Sequence, residues 1–212
     1  MKRTAMVAMG FVLAACAAAV SPEVLKQWQT GSRYTCCNIH YEKPDSLSDA
    51  NYTVGALLPF GAPATVQSMT KKSVTFGAGG NTFTLTQAYG ADQESPQQYF
   101  AKVLVETDPH VRFNMFSKSV QDAISNGRVE KGMTKEQVIM SLGYPPTHRT
   151  ASTQANIWTY WYNRWVTFVV NFDEQGFVSG YSGSDVPTNN QPVSQVVAPM
   201  PRPTPPHGKK KH

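Results

Sequence analysis

The chain is short of cysteine, short of charge and without a long hydrophobic run. Its 212 residues hold three cysteines, and no two stand in a C-x-x-C spacing, so neither a zinc framework nor a thioredoxin-like redox motif is available. His40 and His110 supply no zinc spacing, and there is no H-E-x-x-H and no glycine loop that cradles phosphate. The stretch "GYSGS" at 180–184 lacks the second glycine of a nucleophile elbow. Charged residues make up 16% of the chain and are scattered, and no paired carboxylates stand out at helical spacing for acid–base work. Cys37 with His40 or His110 is the one nucleophile pairing on offer, and no local motif supports it. These absences read as a protein that is not an enzyme, with no metal, no cofactor and no small-molecule substrate.

The formal charge of +5 misdescribes the body of the chain. Of 19 basic residues, Lys2 and Arg3 lie at the start and Arg202, Lys209, Lys210 and Lys211 at the end, which leaves 13 basic against 14 acidic residues between them. A near-neutral body has no electrostatic footprint for nucleic acid.

The apolar or small run Ala5–Ala15 follows Lys2 and Arg3. It is far below the roughly 20 residues that span a bilayer, and with its basic start it reads as a secretory signal. Leu13-Ala14-Ala15-Cys16 resembles the lipobox of bacterial lipoproteins. That resemblance implies cleavage before Cys16, a covalent lipid on its thiol and, with Ala17 following, delivery to the outer membrane. An ordinary signal-peptidase site is the alternative. With Cys16 assigned to lipid, Cys36 and Cys37 remain, either as a vicinal disulfide, which an oxidising compartment permits, or as two thiols.

Along the chain, residues 16–33 read as a lipidated tether with a short amphipathic piece (Val24, Leu25, Trp28). Residues 34–112 read as a small all-β domain. "YTCCNIHY", "ATVQSM", "SVTFGAGGNTFTLTQAY" and "YFAKVLVETD" supply its strands, with a hairpin at Gly77–Asn81. "LLPFGAPATV" loosely resembles the strand entry of SH3-like small barrels. From 113 the period changes. "FSKSVQDAISNG" puts Phe116, Val120, Ala123 and Ile124 on one helical face, with Gly127 to end it. In "GMTKEQVIMSLGYPP", Thr134 and Gln137 form a capping box, Gly143 terminates the helix, and Pro145 and Pro146 forbid its continuation. "NIWTYWY", "WVTFVVNF" and "FVSGYS" read as an antiparallel meander. Residues 185–212, rich in Pro, Gln and Asn and ending in lysines, read as a disordered basic tail.

The combination Gly132-Met133-Thr134 with Val138, Leu142-Gly143-Tyr144-Pro145, Trp158-Thr159-Tyr160 and Phe172-Asp173-Glu174-Gln175-Gly176 resembles the SmpA/OmlA (BamE-like) family of outer-membrane lipoproteins, over about residues 115–182. The fold implied is α+β: the all-β domain, then a BamE-like domain of two helices and a three-stranded antiparallel sheet over 113–184. The function implied is a structural or assembly role, docking on the β-barrel assembly machinery or a similar envelope complex from the periplasmic side. A protein-binding or inhibitor module and a cell-wall or secretion-complex anchor are the competing readings. Gly132, Met133, Thr134, Gln137, Gly143, Pro145 and Gly176 are expected to act structurally.

With Asn163-Arg164 as a two-residue turn, Ile157, Thr159, Trp161, Val166, Phe168, Val170 and Phe172 form the core face. Trp158, Tyr160, Tyr162 and Trp165 then share the outer face, as candidates for partner binding. A one-residue change in turn length exchanges the two faces.

Overall fold

A computed structural model describes residues 19–188, so Cys16 and most of the basic tail fall outside the described residues. The fold is α+β. Ser21 caps helix α1 (Pro22–Gln29), with Pro22 in the first turn. A six-stranded sheet follows: β1 (Arg33–Thr35), β3 (Leu47–Ser48), β5 (Pro63–Met69), β6 (Ser73–Ala78), β7 (Asn81–Thr86) and β8 (Leu104–Val105), in the order β3-β7-β6-β5-β1-β8. The β6–β7 hairpin turns at Gly79-Gly80, both with positive φ. Strands β2 (Ile39–Tyr41) and β4 (Ala56–Leu58) pair separately. Helix α2 (Pro96–Val103) leads into β8, and the single-turn α3 (His110–Phe113) leads to α4 (Lys118–Ser125) and α5 (Lys135–Leu142). Strands β9 (Ile157–Trp161), β10 (Thr167–Phe172) and β11 (Val178–Gly183) form the second sheet, in the order β11-β10-β9.

Three expectations are corrected. The segment 16–33 is not merely a tether: α1 packs on β5, and Trp28 lies in the core of the six-stranded sheet. Arg33 fixes α1 there, donating to Trp28 O and Leu104 O with its guanidinium 4.3 Å from the Trp28 ring. The segment 34–112 is not all β, because "YFAKV" is helical. Ser95 and Gln98 form a capping box with Pro96 between them, and the apolar Tyr99, Phe100 and Val103 fall at helical spacing. The fold also runs past 184, for Val186 packs in the second core and Val129 N–H donates to Pro187 O.

The helical expectations of the second half hold. Thr134 and Gln137 make both bonds of the capping box, and Gly143 ends α5 at φ 80°. Gly132 and Gly176 are left-handed. Met133 is buried, and its carbonyl accepts Val178 N–H. Pro145 is buried just beyond α5.

Two cores meet along residues 35–60. The carbonyls that end α5 accept from the first half. Asn38 N–H donates to Met140 O, Asn38 Nδ2 to Ser141 O and Ile124 O, and Asn51 Nδ2 to Leu142 O and Tyr144 O. These are carbonyls a helix end leaves orphaned. Phe60, held by Asn38 Oδ1, inserts into the second core.

Candidate functional site

The meander has the expected strands, but β9 presents the opposite face. Tyr162 N–H donates to Val166 O, so three residues, Asn163 to Trp165, make the connection where two were expected. Asn163 Oδ1 accepts from Trp165 N–H and Val166 N–H, which builds the longer turn. The register becomes Trp161↔Thr167, Tyr160↔Phe168 and Trp158↔Val170. The single-residue slip turns β9 over relative to β10: Phe168, Val170 and Phe172 stay in the core as expected, and the residues paired with Phe168 and Val170 become Tyr160 and Trp158 in place of their neighbours. Trp158 and Tyr160, expected on the outer face, are 0% exposed, and the Tyr160 hydroxyl donates to Gly143 O at 2.9 Å. Burial pushes the Tyr160 phenol well above its usual range. Tyr162 is half-buried against the second core. Of the four expected partner residues, Trp165 stands free, 83% exposed at the hairpin tip.

The face that is turned outward carries Ile157, Thr159 and Trp161 on β9, with Val169 beside Thr159 on β10. Trp161 is the centre of a cluster drawn from both halves of the chain. Its indole N–H donates to His148 Nε2 at 3.3 Å, the two rings lie nearly parallel with centroids 6.5 Å apart, and the Arg149 guanidinium sits 4.6 Å from the Trp161 ring. Tyr89 packs on His148 at 5.2 Å. Burial, then the adjacent Arg149 charge, lowers the His148 pKa against an opposing pull from Asp49. A neutral imidazole suits the acceptor role of its Nε2.

Loops from the first half hold this cluster in place. Thr53 N–H donates to Trp161 O at 3.0 Å, and Tyr52 forms a parallel bridge with Trp161. The Asp49 carboxylate accepts the backbone N–H groups of Ala88, Tyr89 and Gly90, which fixes the loop that presents Tyr89. Thr150 Oγ1 accepts Thr159 N–H and ties the 144–152 loop to the edge of β9. The result is a hydrogen-bonded surface of Tyr, Trp, His and Arg, of which Tyr, Trp and Arg are the residue types that anchor protein interfaces. Ile157, 61% exposed, extends it along the strand. Sequence reasoning missed Tyr52, Tyr89, His148 and Arg149, which sit in loops without a period to read.

Cys36 and Cys37 are joined as a disulfide. They stand in the wall between two cavities. Cys36 lines a groove of about 690 Å³ with Leu104, Ile139, Met140 and Trp158. Cys37, 2% exposed, lines a smaller cavity of about 360 Å³ with Asn38, Tyr99 and Tyr144. Among the described residues no group of His, Cys, Asp and Glu is placed to hold a metal ion, and no helix is long and apolar enough to cross a membrane. No family model, no curated protein and no solved structure matches this chain.

Proposed function

We propose that the chain is an outer-membrane lipoprotein with a structural or assembly role, anchored by lipid on Cys16 and facing the periplasm. In this reading it docks on the β-barrel assembly machinery or a similar envelope complex. The lipobox-like Leu13-Ala14-Ala15-Cys16 and the motifs from Gly132 to Gly176 support that placement. The element order α4-α5-β9-β10-β11 supports a BamE-like second half. The antiparallel β5-β6-β7 meander supports an SH3-like first half.

The observation that carries the docking role is the aromatic and arginine surface around Trp161, with Trp165 exposed at the tip of the same hairpin. A solvated sheet face spends Trp, Tyr and Arg in one place when a partner covers them. The partner is a protein, not nucleic acid or a small molecule. In-cell crosslinking of the lipidated protein, with the captured chains identified by mass spectrometry, tests this reading. Recovery of barrel-assembly proteins, lost in the Arg149→Ala, Trp165→Ala double variant, is the expected result. Recovery of a soluble periplasmic protein, with the assembly proteins absent, would move the reading to a capture or inhibitor module. Capture undiminished by the double variant would remove the surface from consideration.

A further inference from the structure

The described chain enters the fold at Ala19, and its point of entry is fixed. Ala19 forms an antiparallel bridge with Thr70, and Val20 N–H donates to Met69 O. The bridge sets Ala19 beside the turn that joins β5 to β6. That turn is Thr70-Lys71-Lys72-Ser73. It is stiff: Thr70 Oγ1 accepts the N–H groups of Lys72 and Ser73, its hydroxyl meets Ser73 Oγ at 2.8 Å, and Thr70 N–H donates to Ser73 O. Lys71 and Lys72 are both exposed at its tip, and neither ammonium is in an ion pair among the described residues.

The following inference rests on the lipoprotein reading. Two residues, Ala17 and Ala18, separate Cys16 from Ala19. Three Cα–Cα steps span at most about 11 Å, less than one and a half Debye lengths at physiological ionic strength, where that length is about 8 Å. An acylated Cys16 lies at the membrane surface, so Thr70 and its turn cannot stand far from the headgroups. We infer that the Lys71-Lys72 turn is a second membrane contact, binding the phosphates of anionic phospholipids in the bilayer that holds the acyl chains. Charge complementarity commits the surface to that occupant. Two ammonium groups without carboxylate partners meet a plane of negative charge, which attracts basic residues near it. The lipid and the two lysines then hold the body at two points, which restricts its rotation on the membrane to the axis that joins them.

The test is amine labelling of the full chain. Acylated protein is reconstituted in vesicles containing phosphatidylglycerol and treated with a water-soluble amine-acylating reagent. Lys71 and Lys72 are followed by mass spectrometry against the Cys16→Ser protein mixed with the same vesicles. The expected result is labelling of both lysines slowed at least fivefold in the acylated protein, with the protection reduced when phosphatidylcholine replaces the anionic lipid. An acylated protein whose Lys71 and Lys72 label at the rate of the Cys16→Ser protein overturns this inference and leaves the lipoprotein reading standing. Protection that is indifferent to lipid charge overturns the recognition of phosphate. A mature protein that lacks the acyl mass on Cys16 overturns the lipoprotein reading, and this inference with it.

Discussion

Asn51 clasps the end of helix α5 around Gly143: its Nδ2 donates to Leu142 O and to Tyr144 O at 2.8 Å each. A Cβ on Gly143 would stand 2.7 Å from that nitrogen, on a backbone at φ 80°. Gly143→Ala therefore combines left-handed strain with a broken clasp, and about 2–4 kcal/mol of stability is expected to be lost in urea unfolding. Asn51 itself is left-handed, at φ 49°, so Asn51→Gly removes the amide without adding strain and costs about 2 kcal/mol. The double variant is expected to lose less than the sum, because removing the amide relieves the clash. Strict additivity would show that the two residues do not act on one another.

The register of the meander separates two tryptophans that sequence reasoning placed together. Trp158→Ala empties a buried site and is expected to cost about 3–5 kcal/mol. Trp165→Ala, at the exposed hairpin tip, is expected to change stability by less than about 0.5 kcal/mol. Tyr160→Phe leaves Gly143 O without its donor and costs about 1–2 kcal/mol. Chemical denaturation of the three variants checks the order, and a large loss in Trp165→Ala would contradict it.

His40 makes stability fall on acidification. Both ring nitrogens are buried without a hydrogen-bond partner among the described residues, and Nε2 faces Gly127 from β2. Desolvation pushes its pKa from 6.5 down to about 4. Between those values the unfolded chain binds a proton that the folded chain does not. This contribution is therefore intact above pH 6.5 and is lost progressively as the pH falls toward 4, by about 3 kcal/mol in all. Urea midpoints of the wild type and His40→Leu across pH 4–7 isolate this group from the titrating carboxylates common to both. A difference between them that does not change with pH would refute the assignment.

Arg33 joins three elements with one planar head, reaching Trp28 O, Leu104 O and the Glu106 carboxylate. Arg33→Ala is expected to cost about 2–4 kcal/mol, through lost hydrogen bonds to buried carbonyls. Arg33→Lys is expected to recover less than half of that, since an ammonium cannot present the same fork. Unfolding transitions of the two variants give the comparison.

Local signals were legible where their partners lie within a few residues. The Thr134 box, the Gly143 stop and the Gly79-Gly80 hairpin turn all depend on neighbours three or four positions away. The Ser95–Gln98 box was equally local, but the β-rich residues after it (Tyr99, Phe100, Val103, Leu104) drew the reading toward a strand. The core face of β10 was legible, while the facing of β9 was lost to one residue of turn length, because Asn163 accepts two backbone bonds and lengthens the connection. The Trp161 cluster was not legible at all. Tyr52, Tyr89 and His148 come from three separate loops, and nothing in the sequence spacing relates them.

The carbonyls that finish α5 take their donors from residues 103 and 91 positions earlier in the chain. A vectorially synthesised or exported chain therefore presents both asparagines long before the helix they complete has emerged. A fragment beginning near residue 113 would lack both its donors and Phe60. Contacts of that sequence separation raise the contact order, which slows folding, so the end of α5 ties the speed of assembly to residues far upstream.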